Sequence, residues 1–72
     1  MIKVETMNQV GMLKECSDLI DNGYVMVHRH IEKEWWYFKY HHSKNGRTLA
    51  LQWRPEYYVI KEGSKILKQV SD

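Results

Sequence analysis

Asn45-Gly46 is the dipeptide that most favours a tight β-hairpin, because both residues tolerate positive φ. It stands between "WWYFKYHH" (Trp35–His42) and "TLALQWR" (Thr48–Arg54), two runs rich in aromatic and branched residues. A two-residue turn there sets Lys44 opposite Arg47, His42 opposite Leu49, Tyr40 opposite Leu51, Phe38 opposite Trp53 and Trp36 opposite Pro55. That face is almost wholly apolar. The other face pairs His41 with Ala50, Lys39 with Gln52 and Tyr37 with Arg54, with Trp35 near Glu56. A one-residue slip exchanges the faces of a strand and would leave neither face apolar. The pattern therefore selects the two-residue register, or a four-residue loop that keeps it.

The preceding run, "YVMVHRHI" (Tyr24–Ile31), reads as another strand, joined through the polar "EKE". A turn at Lys33-Glu34 puts Val25, Val27 and Ile31 on the apolar face. It also puts Arg29 there, opposite Phe38, which marks a sheet edge or a bulge. Met26, His28 and His30 then join the polar face.

The front of the chain supplies the cover. Thr6 and Gln9 have the spacing of a capping box. Val10, Met12, Leu13, Cys16, Leu19 and Ile20 follow as one broad apolar stripe, and Gly23 can close the helix in the left-handed conformation. The spacing predicts a helix from about Met7 to Asp21, weakened at Gly11 by about 1 kcal/mol relative to alanine. "MIKVE" reads as a short strand or arm. Pro55 ends, bends or edges the third strand, and "YYVI" continues it past a bulge or forms a fourth. "SKILKQV" has the spacing of a last helical turn or two, capped by Ser64, with Ile66, Leu67 and Val70 inward. The expected fold class is α+β. An N-terminal helix packs on one face of a three- to four-stranded antiparallel meander, with a short C-terminal helix.

With 72 residues the chain is expected to be one domain. One cysteine, Cys16, excludes an intramolecular disulfide, and no Cys/His spacing suits a structural zinc. Cys16 is expected in the helix stripe, in a reducing, cytoplasmic setting. No run approaches the ~20 apolar residues of a membrane span, and "MIKVETMNQ" lacks the apolar core of a signal peptide. Self-association as a homodimer is one route to further burial.

Charge is unevenly placed. Residues 1–23 carry Lys3 and Lys14 against Glu5, Glu15, Asp18 and Asp21, whereas residues 24–61 carry seven cations against Glu32, Glu34 and Glu56. All four histidines and all nine aromatics lie between Tyr24 and Tyr58. The uncovered sheet face gathers His28, His30, Trp35, Tyr37, Lys39, His41, Gln52 and Arg54. Rings on a sheet stack on unpaired bases and neighbouring cations neutralise phosphates. The expectation is a small non-enzymatic binding or regulatory module that takes nucleic acid, RNA or single-stranded DNA, on this face. Trp, Tyr and Arg also dominate protein interfaces. The alternative is therefore an inhibitor or adaptor that binds a protein partner, or its own copy, through the same residues. His28, His30, His41 and Lys39 would be the groups of a metal-free RNase, and His28, His30 and His41 those of a zinc site. No motif supports either chemistry, so neither a catalytic residue nor a cofactor is assigned.

The order of elements, with "LIDNGYVMVHRH" and Gly46-Arg47 before the third strand, resembles the layout of double-stranded-RNA-binding domains. It is also similar to that of the small HicA-type RNase toxins. The resemblance implies a nucleic-acid role. The chain has Glu34-Trp35-Trp36 where those toxins carry Gly-Ser-His. At "EGSKILKQ" it has only Lys65 and Lys68 to match the basic helix start of the RNA-binding domains.

Overall fold

The computed structural model describes residue 4 and residues 6–71. Apart from Val4, the expected N-terminal arm lies outside them. Helix α1 spans Met7–Asp21 as its spacing predicts. The capping box forms: the Gln9 backbone N–H donates to Thr6 Oγ1 at 3.1 Å, and the Thr6 N–H donates to Gln9 Oε1 at 2.9 Å. At the far end Gly23 takes φ +90°. That lets the Gly23 N–H reach the Ile20 carbonyl at 3.1 Å and the Tyr24 N–H reach that of Leu19 at 3.0 Å.

Five strands follow: β1 Val25–Ile31, β2 Trp36–His41, β3 Thr48–Arg54, β4 Tyr57–Glu62 and β5 Lys65–Ser71. They form one antiparallel sheet in chain order, so each strand pairs with the next in sequence. The architecture is thus α+β with an open meander. Among the described residues it has five strands rather than three or four, and no C-terminal helix. "SKILKQV" is β5 because Gly63-Ser64 makes a two-residue turn between the paired Glu62 and Lys65. Gly63 takes φ +62° at the first central position, where this type of turn needs glycine. A register shift leaves Leu67 without a partner, between Ile66 (facing Lys61) and Lys68 (facing Ile60). The bulge breaks the strand's alternation, and the apolar residues at 66, 67 and 70 then mimic helical spacing. Pro55 lies in the turn between the paired Arg54 and Tyr57, outside the ladder. The layout with a C-terminal helix, on which the likeness to RNA-binding domains rested, is therefore not that of this chain.

The central hairpin keeps the predicted faces but not the predicted partners. Trp36 faces Trp53, Phe38 faces Leu51 and Tyr40 faces Leu49. The loop is Ser43–Gly46, four residues, closed by His42 N–H to the Arg47 carbonyl at 2.9 Å. Gly46 has φ +73°, whereas no non-glycine residue among those described has positive φ, so Asn45-Gly46 does not make the two-residue turn. The His42 side chain stabilises the longer loop. Its Nδ1 accepts from the backbone N–H groups of Lys44 and Asn45 at 3.2 and 3.3 Å.

The β1–β2 register is as predicted from His28 to Ile31, with Arg29 facing Phe38. Nearer the helix, a bulge at Val27 reverses the faces: Val25 lies beside His41 and Met26 beside Tyr40. Val25 and Val27 are consequently exposed, not under the helix. Val10 and Ile20 are exposed too, because α1 lies over the middle of the sheet and its inward side carries Met12 and Cys16, with Leu13 and Leu19 packed against the core.

The core is one layer between helix and sheet. Trp36, Phe38, Tyr40, Leu49, Leu51, Trp53, Tyr58 and Ile60 are buried in it, together with Tyr24. Each such side chain contributes about 1.5–3 kcal/mol of transfer free energy. Glu15 fastens the helix to β4 and β5. The Tyr58 hydroxyl donates to its carboxylate at 3.1 Å, and the Lys68 ammonium pairs with the same oxygen. Burial and this bond push the Tyr58 phenol above its ordinary value. Burial likewise raises the Cys16 thiol, which is hydrogen-bonded to Tyr40.

Candidate functional site

Alternation on five paired strands leaves the second face of the sheet without a helix. Cross-strand partners share a face, so the ladder assigns its occupants. His30, Tyr37, Gln52, Val59 and Gln69 form one row across the sheet. His28, Lys39, Ala50, Lys61 and Ile66 form the next. Val25, His41 and Thr48 lie toward the Ser43–Gly46 loop, whereas Arg54, Tyr57 and Ser71 lie toward the Pro55 turn. Trp35 directly precedes β2 and continues its outward series. All eight residues singled out in the sequence therefore lie on this face: His28, His30, Trp35, Tyr37, Lys39, His41, Gln52 and Arg54. The partners of Tyr37, Lys39 and His41 on β3 are Gln52, Ala50 and Thr48, displaced by two from the expected ones.

The rings form a ladder along the β1–β2 hairpin. His30 and Trp35 have centroids 4.7 Å apart, Trp35 and Tyr37 6.2 Å, and Tyr37 and His28 5.6 Å. The Arg54 guanidinium lies over the Trp35 ring, 5.5 Å from its centroid. This cation–π contact holds the cation against the ladder. Trp35 Nε1 is buried and has no hydrogen-bond acceptor. Two histidines are engaged locally: His30 Nε2 donates to Glu32 at 2.9 Å, and His41 Nδ1 is hydrogen-bonded to Thr48 Oγ1 at 2.9 Å. Among the described residues no group of three or more His, Cys, Asp or Glu side chains is placed to hold a metal ion. The three histidines lie on one face without converging on a point.

None of the strand residues on this face is a carboxylate. Glu32 adjoins it beyond β1, and Glu34 and Glu56 stand in the turns at the same end. The face gains Tyr57, Val59, Lys61 and Gln69, which sequence reasoning did not assign. The missing signal was the register of β4, which follows once Pro55-Glu56 is taken as a two-residue turn. Val59 is only 3% exposed although no helix covers it, so its neighbours on the face close over it.

No protein-family model, curated protein or solved structure matches this chain. Among the described residues no helix is long and apolar enough to cross a membrane. The functional reading rests on the face itself.

Proposed function

We propose that the chain is a small non-enzymatic module that binds single-stranded nucleic acid on the helix-free face of its sheet. The observation that carries this reading is the joint presence of a four-ring ladder and three cations, Lys39, Arg54 and Lys61, on a face whose strands hold no carboxylate. Each half has a distinct role. Rings accept unpaired bases by stacking, worth about 1–3 kcal/mol per base, with little regard for sequence. Cations neutralise phosphates, with affinity that falls steeply as salt rises. A duplex hides the faces of its bases, so the ladder favours single strands over duplex. A regulatory role would follow from occupying such a strand.

The test is a titration of fluorescent single-stranded RNA and DNA, and of the matching duplex, at several salt concentrations. Single strands are expected to bind more tightly than duplex, with a negative slope of log affinity against log salt. The pair Lys39→Glu and Arg54→Glu is expected to abolish binding while the fold persists. Salt-independent capture of a protein, with no retardation of any nucleic acid at low salt, would reverse the reading in favour of a protein-binding adaptor.

A further inference from the structure

Two lysine or arginine side chains among the described residues are held by carboxylates. Arg47 is held by Glu62 through two bonds of 2.9 and 3.1 Å, and Lys68 is held by Glu15. Lys39 and Lys61 have no ion-pair partner among the described residues. These two are also the only lysines among the described residues that are not exposed: their stems lie on the sheet. Both are cross-strand partners of the same residue, Ala50, one from β2 and the other from β4. The outer strands of such a triplet are about 9–10 Å apart. Between them Ala50 offers only a methyl group. The result is a notch with an alanine floor and a cationic side chain on each wall. Along β3, Thr48 and Gln52 lie on the same face and bound it with a hydroxyl and an amide. His28 and Ile66, the outer neighbours of the two lysines, bring no carboxylate.

We infer that this notch is a phosphate seat, in which Lys39 and Lys61 share one phosphate group above Ala50. The inference rests on the proposed single-strand reading and assigns it a register. One phosphate sits over the middle strand, while the adjoining bases reach the ring ladder through Tyr37, one residue pair away. Like charges on one face, with no carboxylate among their cross-strand neighbours, repel each other. A shared phosphate relieves that repulsion, and the four-carbon stems can lean toward it from either side. A bulkier residue at position 50 would fill the seat without altering any charge.

The test uses the whole chain with two probes, inorganic pyrophosphate and an oligothymidylate of about ten nucleotides. Backbone amide shifts induced by pyrophosphate are expected to centre on Lys39, Ala50 and Lys61. They should vanish in Ala50→Leu and persist in Ala50→Ser, with the spectrum of each variant reporting its fold. For the oligonucleotide, Lys39→Met with Lys61→Met should reduce the salt slope by about 0.7, the value for one single-strand phosphate. A reduction of about 1.4 would mean two separate phosphates and would overturn the shared seat. So would an Ala50→Leu protein that binds both probes like the parent. If pyrophosphate marks the notch and no oligonucleotide binds, the seat stands and the nucleic-acid reading falls. If the oligonucleotide binds and Ala50→Leu is silent, the reading stands and the seat falls. No response to either probe removes both.

Discussion

A methyl group added at Gly11 would stand 3.1 Å from Tyr58 Cε2 and 3.4 Å from its hydroxyl oxygen. The glycine in the middle of α1 is thus matched to a ring on β4. That ring cannot easily withdraw, being 5% exposed and bonded through its hydroxyl to Glu15. Gly11→Ala is therefore expected to lose most of the ~1 kcal/mol that alanine gains in a helix. In a Tyr58→Phe background the ring loses its tether to Glu15, and the same substitution should recover at least ~0.5 kcal/mol of that gain. Urea midpoints of the four proteins in this cycle measure the coupling; additive effects would show that the close approach is harmless.

Acid should act through Arg47 and Glu62. The guanidinium bonds hold the Glu62 carboxyl below its ordinary value of 4.5. A carboxyl lowered in the folded state contributes stability above its unfolded value and loses it as pH falls through the folded one. Glu62→Gln should therefore matter at neutral pH and cease to matter in acid below that range. Both side chains are substantially exposed. The effect should accordingly be small and should shrink in high salt. Thermal denaturation of parent and variant from neutral pH into acid gives the comparison.

His42 should behave as a cap. Its Nδ1 accepts two backbone N–H groups in the Ser43–Gly46 loop, which requires the tautomer with the proton on Nε2. Its ring also meets Tyr24 edge-on at 4.9 Å. His42→Ala is expected to cost about 1 kcal/mol and to speed amide exchange at Lys44 and Asn45. Imidazole nitrogen shifts showing the proton on Nδ1 would contradict the cap.

Arg29 should guard the β1 edge of the sheet. It places a charge among apolar neighbours on an edge strand, opposite Phe38 and beside the Val27 bulge. Charges and bulges at edges oppose strand-to-strand association. Arg29→Val is expected to raise self-association, read as a concentration-dependent rise in sedimentation coefficient. A variant no more associated than the parent would mean that the bulge alone suffices.

Much of this was legible because single residues fixed whole elements. Thr6, Gln9 and Gly23 delimit α1, and the parity set by Asn45-Gly46 sorts Trp36, Phe38, Tyr40 and Trp53 from Trp35 and Tyr37 even though the turn itself differs. Parity survives a change of two residues in a loop, whereas cross-strand partners do not, which is why Lys39 meets Ala50 instead of Gln52. Bulges caused the larger departures. The one at Val27 moved Val25 off the core face and left Arg29 on it, opposite Phe38. The one at Leu67 hid a strand behind helical spacing, although Gly63-Ser64 was a turn signal in plain view. The site was half legible for the same reason: its β1–β2 rings depend on parity, while Lys61 and Tyr57 depend on β4, whose pairing no dipeptide announced as strongly.

The strand order also has a kinetic meaning. Because every strand pairs with its successor, the sheet can grow by four short-range hairpin closures, and loop-closure entropy delays none of them much. The long closures belong to α1: Glu15 reaches Tyr58 and Lys68 across 43 and 53 positions of chain. Docking of the helix is then the step that joins the two ends of the sequence. The rate-limiting barrier should fall at that docking, with the sheet zipped before the helix seals its apolar side.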